Sequence, residues 1–284
     1  MKPTPKNFKY YSRRIREALG LRKPEYSKIH LMHELTLFAP GSAGSYADCA
    51  QLTLQSAQQT FPFLVELIKT LNIPYQANII EAPVFASETA HQRAAEQLKD
   101  LFNHHGSDKS QRHDYHHVYG RILSVPNQIK TILEIGLGTN NIDVVSNMGE
   151  TGKPGSSLRA FRDFAPQAKV FGADIDKRIL FEEDRIKTFW VDQTDLSSFN
   201  QLSQEVPDEA DLIIDDGLHS PNANIAVIRF ALKKIRIGGW VVVEDILEEA
   251  LPVWRVISAL LPSNYQSTII KCIGGYIFAI ERLK

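Results

Sequence analysis

A chain of 284 residues with 43% hydrophobic content can build one large α/β domain with an accessory part, or two small domains. Its 32 Lys and Arg balance 33 Asp and Glu, so no overall field draws it to nucleic acid or to an anionic membrane surface. No apolar stretch approaches a bilayer span and the opening MKPTPKNFKYYSRRIREALG has no apolar signal core, so a cytoplasmic protein with no membrane partner is expected. Cys49 and Cys272 stand far apart in no paired motif, which argues against a disulfide framework or a thiolate metal site and for buried thiols.

Residues 1–96 differ from the remainder. A basic opening segment is followed by a Gly/Ser break at Pro40 to Ser45 and a helical stretch from Tyr46 to about Leu71, which Pro62 should kink or divide. After Ile73-Pro74 comes a short apolar piece, Ala77 to Ala82. A second helix is expected over Ser87 to His104, with Ala94, Leu98, Leu101 and Phe102 as its apolar positions. No motif here carries chemistry. The expectation is a mainly helical accessory region, 1–96, that covers a substrate cleft or makes a subunit contact, ahead of a catalytic domain at 97–284.

The segment Gly106 to Tyr119, GSDKSQRHDYHHVY, gathers His113, His116 and His117 beside Tyr115 and Tyr119. His113 and His117 would share a helix face and suggest zinc, but no cysteine and no obvious third ligand completes the set. The other readings are a solvated loop entering a helix and a ligand contact.

The centre of the chain is Thr131 to Gly138, TILEIGLG, a buried strand running into a glycine turn. Gly136 and Gly138 let the backbone approach an adenosine-bearing ligand, and Glu134 brings a carboxylate to the same place. Val170 to Asp174, VFGAD, reads as a second strand whose terminal acid suits a pair of ribose hydroxyls. Asn141 stands where the third glycine of a dinucleotide fingerprint belongs, which favours S-adenosylmethionine over NAD. Between the turn and the next helix lies a polar insertion with Gly149, Gly152, Pro154 and Gly155. It is either functional or a disordered excursion. Ser156 and Ser157 can cap that helix, whose N-terminal amides would face a methionine carboxylate.

From Lys130 onward strand, turn and helix repeat as a doubly wound sheet demands. Arg185 to Val191 is a third strand, with Asp192 and Gln193 placed to meet an adenine edge or, alternatively, to cap the following helix. Asp211 to Asp216 is a fourth, ending in Asp215 and Asp216. Ile237 to Asp245 gives a turn at Gly238-Gly239 and a fifth, ending in Glu244 and Asp245. Ligands bind at the carboxyl ends of such strands, and carboxylates drawn together there call for a hard cation: Mg²⁺, Mn²⁺ or Ca²⁺. The expected ligands are Asp216, Glu244 and Asp245. His219 would stand beside them as a general base. Helices are expected over Asn222 to Leu232 and Val253 to Leu260, and Gln266 to Ile273 pairs with Tyr276 to Glu281 in a terminal hairpin.

Together ILEIGLG, SNMGETGKPGSSLRAFRDF, GADID, RIKTFWVDQTD, LIIDDGLH and VVVED resemble the metal-dependent class I methyltransferases that O-methylate macrolide sugars, a family that includes the mycinamicin enzymes. The cephalosporin hydroxylases are a more distant likeness. The resemblance covers about residues 98–284 and is most specific in D-G-x-H followed by E-D. It implies a Rossmann-like, mostly parallel seven-stranded sheet, magnesium on Asp216, Glu244 and Asp245, and His219 as base. The expected cofactor site draws on Glu134, Gly136, Gly138, Ser157, Asp174, Asp192, Gln193 and Asp215, to which the resemblance adds Tyr119. Asp108, Lys109 and Tyr115 are expected near cofactor or substrate without individual roles. The implied activity is methyl transfer to a hydroxyl of a small molecule, a sugar or glycosylated natural product, by a homo-oligomer with no nucleic-acid partner. Alternatives are an NAD oxidoreductase, a hydroxylase-like relative, or a non-catalytic subunit with this fold.

Overall fold

The computed structural model describes residues 46–74 and 79–284, with side chains from residue 52 onward. The basic opening segment, the Pro40 to Ser45 break, the side chain of Cys49 and the start of the Ala77 to Ala82 piece lie outside the described residues. Helix α1, Tyr46–Thr70, runs through Pro62 without being divided by it. The chain separates into compact units at Phe63/Leu64. The first is represented among the described residues by the opening turns of α1, and the second, Leu64–Lys284, contains everything below.

Within the second unit the strands are β1 (Ile79–Glu81), β2 (Thr131–Ile135), β3 (Lys169–Asp174), β4 (Glu182–Glu183), β5 (Ile186–Trp190), β6 (Ala210–Asp215), β7 (Ile235–Ile246), β8 (Tyr265–Cys272) and β9 (Gly275–Arg282). They form one sheet in the order β1-β8-β9-β7-β6-β2-β3-β5-β4. The five strands from β7 to β5 in that order are parallel, and β9 runs antiparallel between β7 and β8. The expected seven strands are therefore nine: β1 and β4 add short edge pieces of 3 and 2 residues, too small to announce themselves in the sequence.

The five residues of β2 and six of β6 are all buried, as a sheet covered on both faces requires. Gly238-Gly239 is not a turn before β7. It lies inside the strand, Gly238 at φ +72°, where the pairing with β6 slips between Ala210 and Leu212, so the glycines accommodate a bulge. The terminal hairpin pairs as expected, closing at Cys272 and Gly275.

Helix α2 (Ala82–Phe85) is followed by α3 (Thr89–His105), which buries Ala94, Ala95, Leu98 and Phe102, a stripe at helical spacing. Gly106 at φ +80° ends α3, and Ser107 N–H donates back to Phe102 O at 2.8 Å, leaving the chain to turn sharply into Lys109. Helix α4 (His116–Ile122) crosses α3 so closely that a Cβ on Gly120 would stand 2.6 Å from Ala95. That approach seats Tyr119 edge-on against Phe161 of α5 (Ser156–Phe164), with ring centroids 5.2 Å apart. The later helices are α6 (Phe199–Glu205), α7 (Pro221–Lys234) and α8 (Leu251–Leu260). Among the described residues no helix is long and apolar enough to cross a membrane.

Candidate active site

The strand order reverses between β2 and β6, parallel neighbours that end at the same edge of the sheet, and a cavity of about 830 Å³ opens at their carboxyl ends. Gly136 and Gly138 are part of its wall. A Cβ on Gly136 would lie 2.0 Å from Asp216 O, and one on Gly138 would lie 2.1 Å from Met148 Sδ. Both glycines have positive φ, +99° and +76°. Gly136 is thus demanded by the neighbouring strand end, which it allows to approach until Asp216 N–H donates to Ile135 O at 2.7 Å.

On the β2–β3 side the acids hold the chain together. Asp174 accepts Leu137 N–H and Asp176 N–H, both at 2.8 Å, and so joins the glycine turn to the end of β3. Burial pushes its pKa up against those hydrogen bonds. Asp176 accepts Thr139 Oγ1 and Asn141 Nδ2 at 2.7 Å each, and Arg178 Nε at 2.6 Å; the Arg178 bonds chiefly hold its carboxyl well below the usual range. These contacts fasten the polar insertion, which closes on itself through Met148 N–H to Thr139 O and lines the cavity with Val144, Val145 and Met148. Its helix begins differently from expectation. The N-cap is Gly155 in the left-handed region with no side-chain cap. Ser157 Oγ instead donates to Glu134, a fully buried carboxylate whose pKa is raised by burial.

On the β6–β7 side two of the four acids, Asp216 and Asp245, face the cavity and one another. Asp215 points inward, where Gln193 Nε2 at 2.7 Å and Asn224 Nδ2 at 2.9 Å donate to its two oxygens; burial raises its pKa to about 6. Gln193 uses its other end to accept Leu218 N–H at 2.8 Å, and a Cβ on Gly217 would fall 2.0 Å from that same oxygen. The glycine of D-G-x-H is therefore required by Gln193. Ser146 Oγ donates to Gly217 O at 2.6 Å, so the insertion is also fastened to this turn. Asp216 faces outward and brings an oxygen to a common point with His219 and Asp245: one ligand atom from each lies within 4.8 Å of the others. His219 Nε2 is 3.6 Å from Asp245 Oδ2. His219 and Asp245 both adopt positive φ, +53° and +55°, and Asp245 sits in a second β7 irregularity, between Val243 and Ile246. Strained non-glycine backbone at converging side chains is characteristic of functional sites.

The segment before α4 completes the centre. Lys109 is 2% exposed, with Nζ 2.6 Å from Asp216 Oδ2, 3.0 Å from Glu134 Oε1 and in contact with Glu244 Oε2. Burial opposes its charge, but Asp216, Glu244 and Glu134 outweigh this and hold its pKa well above the usual value. Tyr119 donates to the other oxygen of Glu244, and Tyr115 donates to Asp245 Oδ1 at 2.6 Å. Burial first, then the neighbouring carboxylates, raises both phenols. His113 stacks on Tyr115 and lies between Asp108 and Asp245, at 3.7 and 3.6 Å; the Asp108 contact raises its pKa. His113 precedes α4 while His117 lies within it, so the two do not share the helix face that zinc would need.

Of the residues expected at the site, His219, Gly136, Gly138, Asp174, Asp192, Gln193, Asp216, Glu244 and Asp245 line the cavity, whereas Glu134, Ser157, Asp215 and Tyr119 stand behind its wall. Three supporting residues carried no expectation of their own: Asp176, legible as the second acid of GADID, and Ser146 and Asn224, whose partners lie 71 and 9 positions away.

No protein-family model matches the chain. A tetracenomycin-C rhamnosyl 3'-O-methyltransferase of Streptomyces olivaceus is 30% identical over 133 residues, 46% of this chain and 31% of that protein. Mycinamicin VI 2''-O-methyltransferase of Micromonospora griseorubida is 34% identical over 120 residues, 42% of this chain and 28% of that protein. These matches span about a third of the curated relatives' length. Among solved structures, the mycinamycin-pathway methyltransferase MycE, in complex with Mg, SAH and mycinamycin VI, superposes with a TM-score of 0.53 at 22% identity, over 66% of this chain and 54% of that one. The chain has the class I methyltransferase fold, and its sequence resembles the sugar O-methyltransferases of macrolide and tetracenomycin pathways.

Proposed function

We propose that the protein is an S-adenosylmethionine-dependent, divalent-metal-dependent O-methyltransferase acting on a hydroxyl of a sugar or glycosylated natural product. The observation that carries this is the meeting of Asp216, His219 and Asp245 at the carboxyl edge of the sheet, in the same cavity as the glycine turn. The donors suit a hard cation: carboxylate oxygens reach the cavity from two strand ends, and among the described residues no donor bonds the second oxygen of Asp216. Asp216 and Asp245 would hold magnesium from the converging group, and Glu244, which lies outside that group with its oxygens on Lys109 and Tyr119, would join them by giving up one of those contacts. When bound, the ion supplies Lewis acidity that lowers the pKa of the acceptor hydroxyl, and the sulfonium donor supplies the methyl group.

The chain's own residues do the remainder. His219 Nε2 would take the proton that the acceptor hydroxyl gives up, and the bound sulfonium donor would supply the methyl group that replaces it. Asp245 Oδ2 lies 3.6 Å from that nitrogen. Asp215, Gln193 and Asn224 hold the turn that carries His219. The cofactor is assigned to the wall made by Gly136, Gly138, Asp174 and Asp192, with Glu134, Ser157, Gln193, Asp215 and Tyr119 supporting it. We further assign residues 1–96 to acceptor coverage or a subunit contact, and the protein to the cytoplasm as a homo-oligomer; the buried free thiol of Cys272 fits a reducing compartment.

Calorimetric titration with SAH and with NAD, followed by methyl transfer to a panel of glycosylated macrolides with and without EDTA, tests the reading. SAH binding and EDTA-sensitive transfer are expected. Binding of NAD alone, or full activity in EDTA, would overturn it.

A further inference from the structure

Of four neighbouring carboxylates, Glu134, Asp216, Glu244 and Asp245, the first three surround a single buried ammonium. Lys109 touches the first three and leaves Asp245 to Tyr115 and the two histidines. Glu244 is the most enclosed of the expected metal ligands, 1% exposed, with one oxygen on Lys109 and the other on Tyr119. Asp216 is shared between interior and cavity: Oδ2 binds Lys109, and the carboxylate also belongs to the group formed with His219 and Asp245. A cation entering from the cavity therefore meets an oxygen set that another cation already holds.

We propose that Lys109 is a positioning residue, a built-in counter-cation that keeps Glu244 and Asp216 in place and competes with the incoming divalent ion for them, so that its ammonium sets how tightly the site takes metal. The proposal rests on the metal reading above and adds a role for a side chain belonging to no expected ligand set. Two charges at these separations inside a protein interact strongly, and removing the fixed positive charge leaves more carboxylate charge for the mobile one. The same removal strips a buried cluster of its neutralising partner, which destabilises the metal-free protein.

Mn²⁺ binding to the full chain, followed by calorimetry and by the electron-spin-resonance signal of free Mn²⁺, tests this together with thermal unfolding. K109M is expected to bind Mn²⁺ at least about 10-fold more tightly than wild type. It should also melt lower without metal and show the larger rise in melting temperature on adding Mn²⁺. Should K109M not fold, K109M/E134Q removes one buried charge of each sign and is expected to show the same gain in affinity. Equal or weaker Mn²⁺ binding by the folded variant, with wild type binding normally, overturns the proposal and leaves the metal reading intact. Absence of Mn²⁺ binding in wild type and variants alike overturns both.

Discussion

The two halves of the sheet's carboxyl edge use the same residue type in opposite ways. Beside β2 and β3, Asp174 and Asp176 are occupied by backbone amides, a hydroxyl, an amide side chain and Arg178, and Glu134 by Ser157 and Lys109. Beside β6 and β7, Asp216 and Asp245 keep oxygens turned toward a shared point and an imidazole, with Asp245 and His219 on backbone of positive φ. A carboxylate with its acceptor sites filled organises a loop. One left facing another carboxylate needs a cation and is available for chemistry.

Breaking the second half should cost most. His219→Ala is expected to lower the methyl-transfer rate about 10²- to 10⁴-fold while SAH affinity by calorimetry stays unchanged; unchanged turnover would remove His219 as the base. Where the halves touch, Gly136→Ala puts a methyl against Asp216 O at a positive φ and should destabilise by about 3 kcal/mol. Gly149→Ala, also at positive φ but with nothing within 4 Å, should cost about 1 kcal/mol, and urea unfolding of both variants measures the difference.

Asp174→Asn sharpens the first half. The amide retains a single acceptor oxygen for two backbone N–H groups, so a loss of about 1–3 kcal/mol in unfolding free energy is expected. An effect confined to acid pH lies away from both halves, at His116 on α4. Burial, then His117 and Lys99, lowers its pKa from 6.5 to about 4. Between those values the unfolded chain binds more protons than the folded one, so stability rises with pH across that window and is level above it. His116→Gln should flatten the fall in melting temperature between pH 6.5 and 4 without altering it at pH 8.

Much of the fold is legible in the chain because its signals are local. The apolar runs of β2, β6 and β7, the glycines that follow the first two and the helical stripe of α3 lie within a few residues of the structure they encode. The two-residue alternation of a strand also says that Asp215 and Asp216 face opposite ways. Which of them faces the cavity depends on what covers each face, and Asn224 and Gln193 decide it for Asp215. The edge strands β1 and β4 escape a sequence reading because 2 or 3 residues hold no pattern and form only against a finished sheet. The Gly238-Gly239 bulge likewise reads as a turn until a neighbouring strand is there to slip against.

By itself the sequence determined the order of strands and helices, the acids at strand ends and the D-G-x-H and E-D pairs, since hydrophobic period and turn chemistry are properties of adjacent residues. Only the tertiary structure decided which acids remain open and which cation they meet. Lys109 reaches Asp216 across 107 positions and Glu244 across 135 because Gly120 lets α4 close on α3 and Gly106 turns the chain inward. A charge's partners are set by burial and distance in three dimensions, and neither is written in the spacing of the residues that supply them.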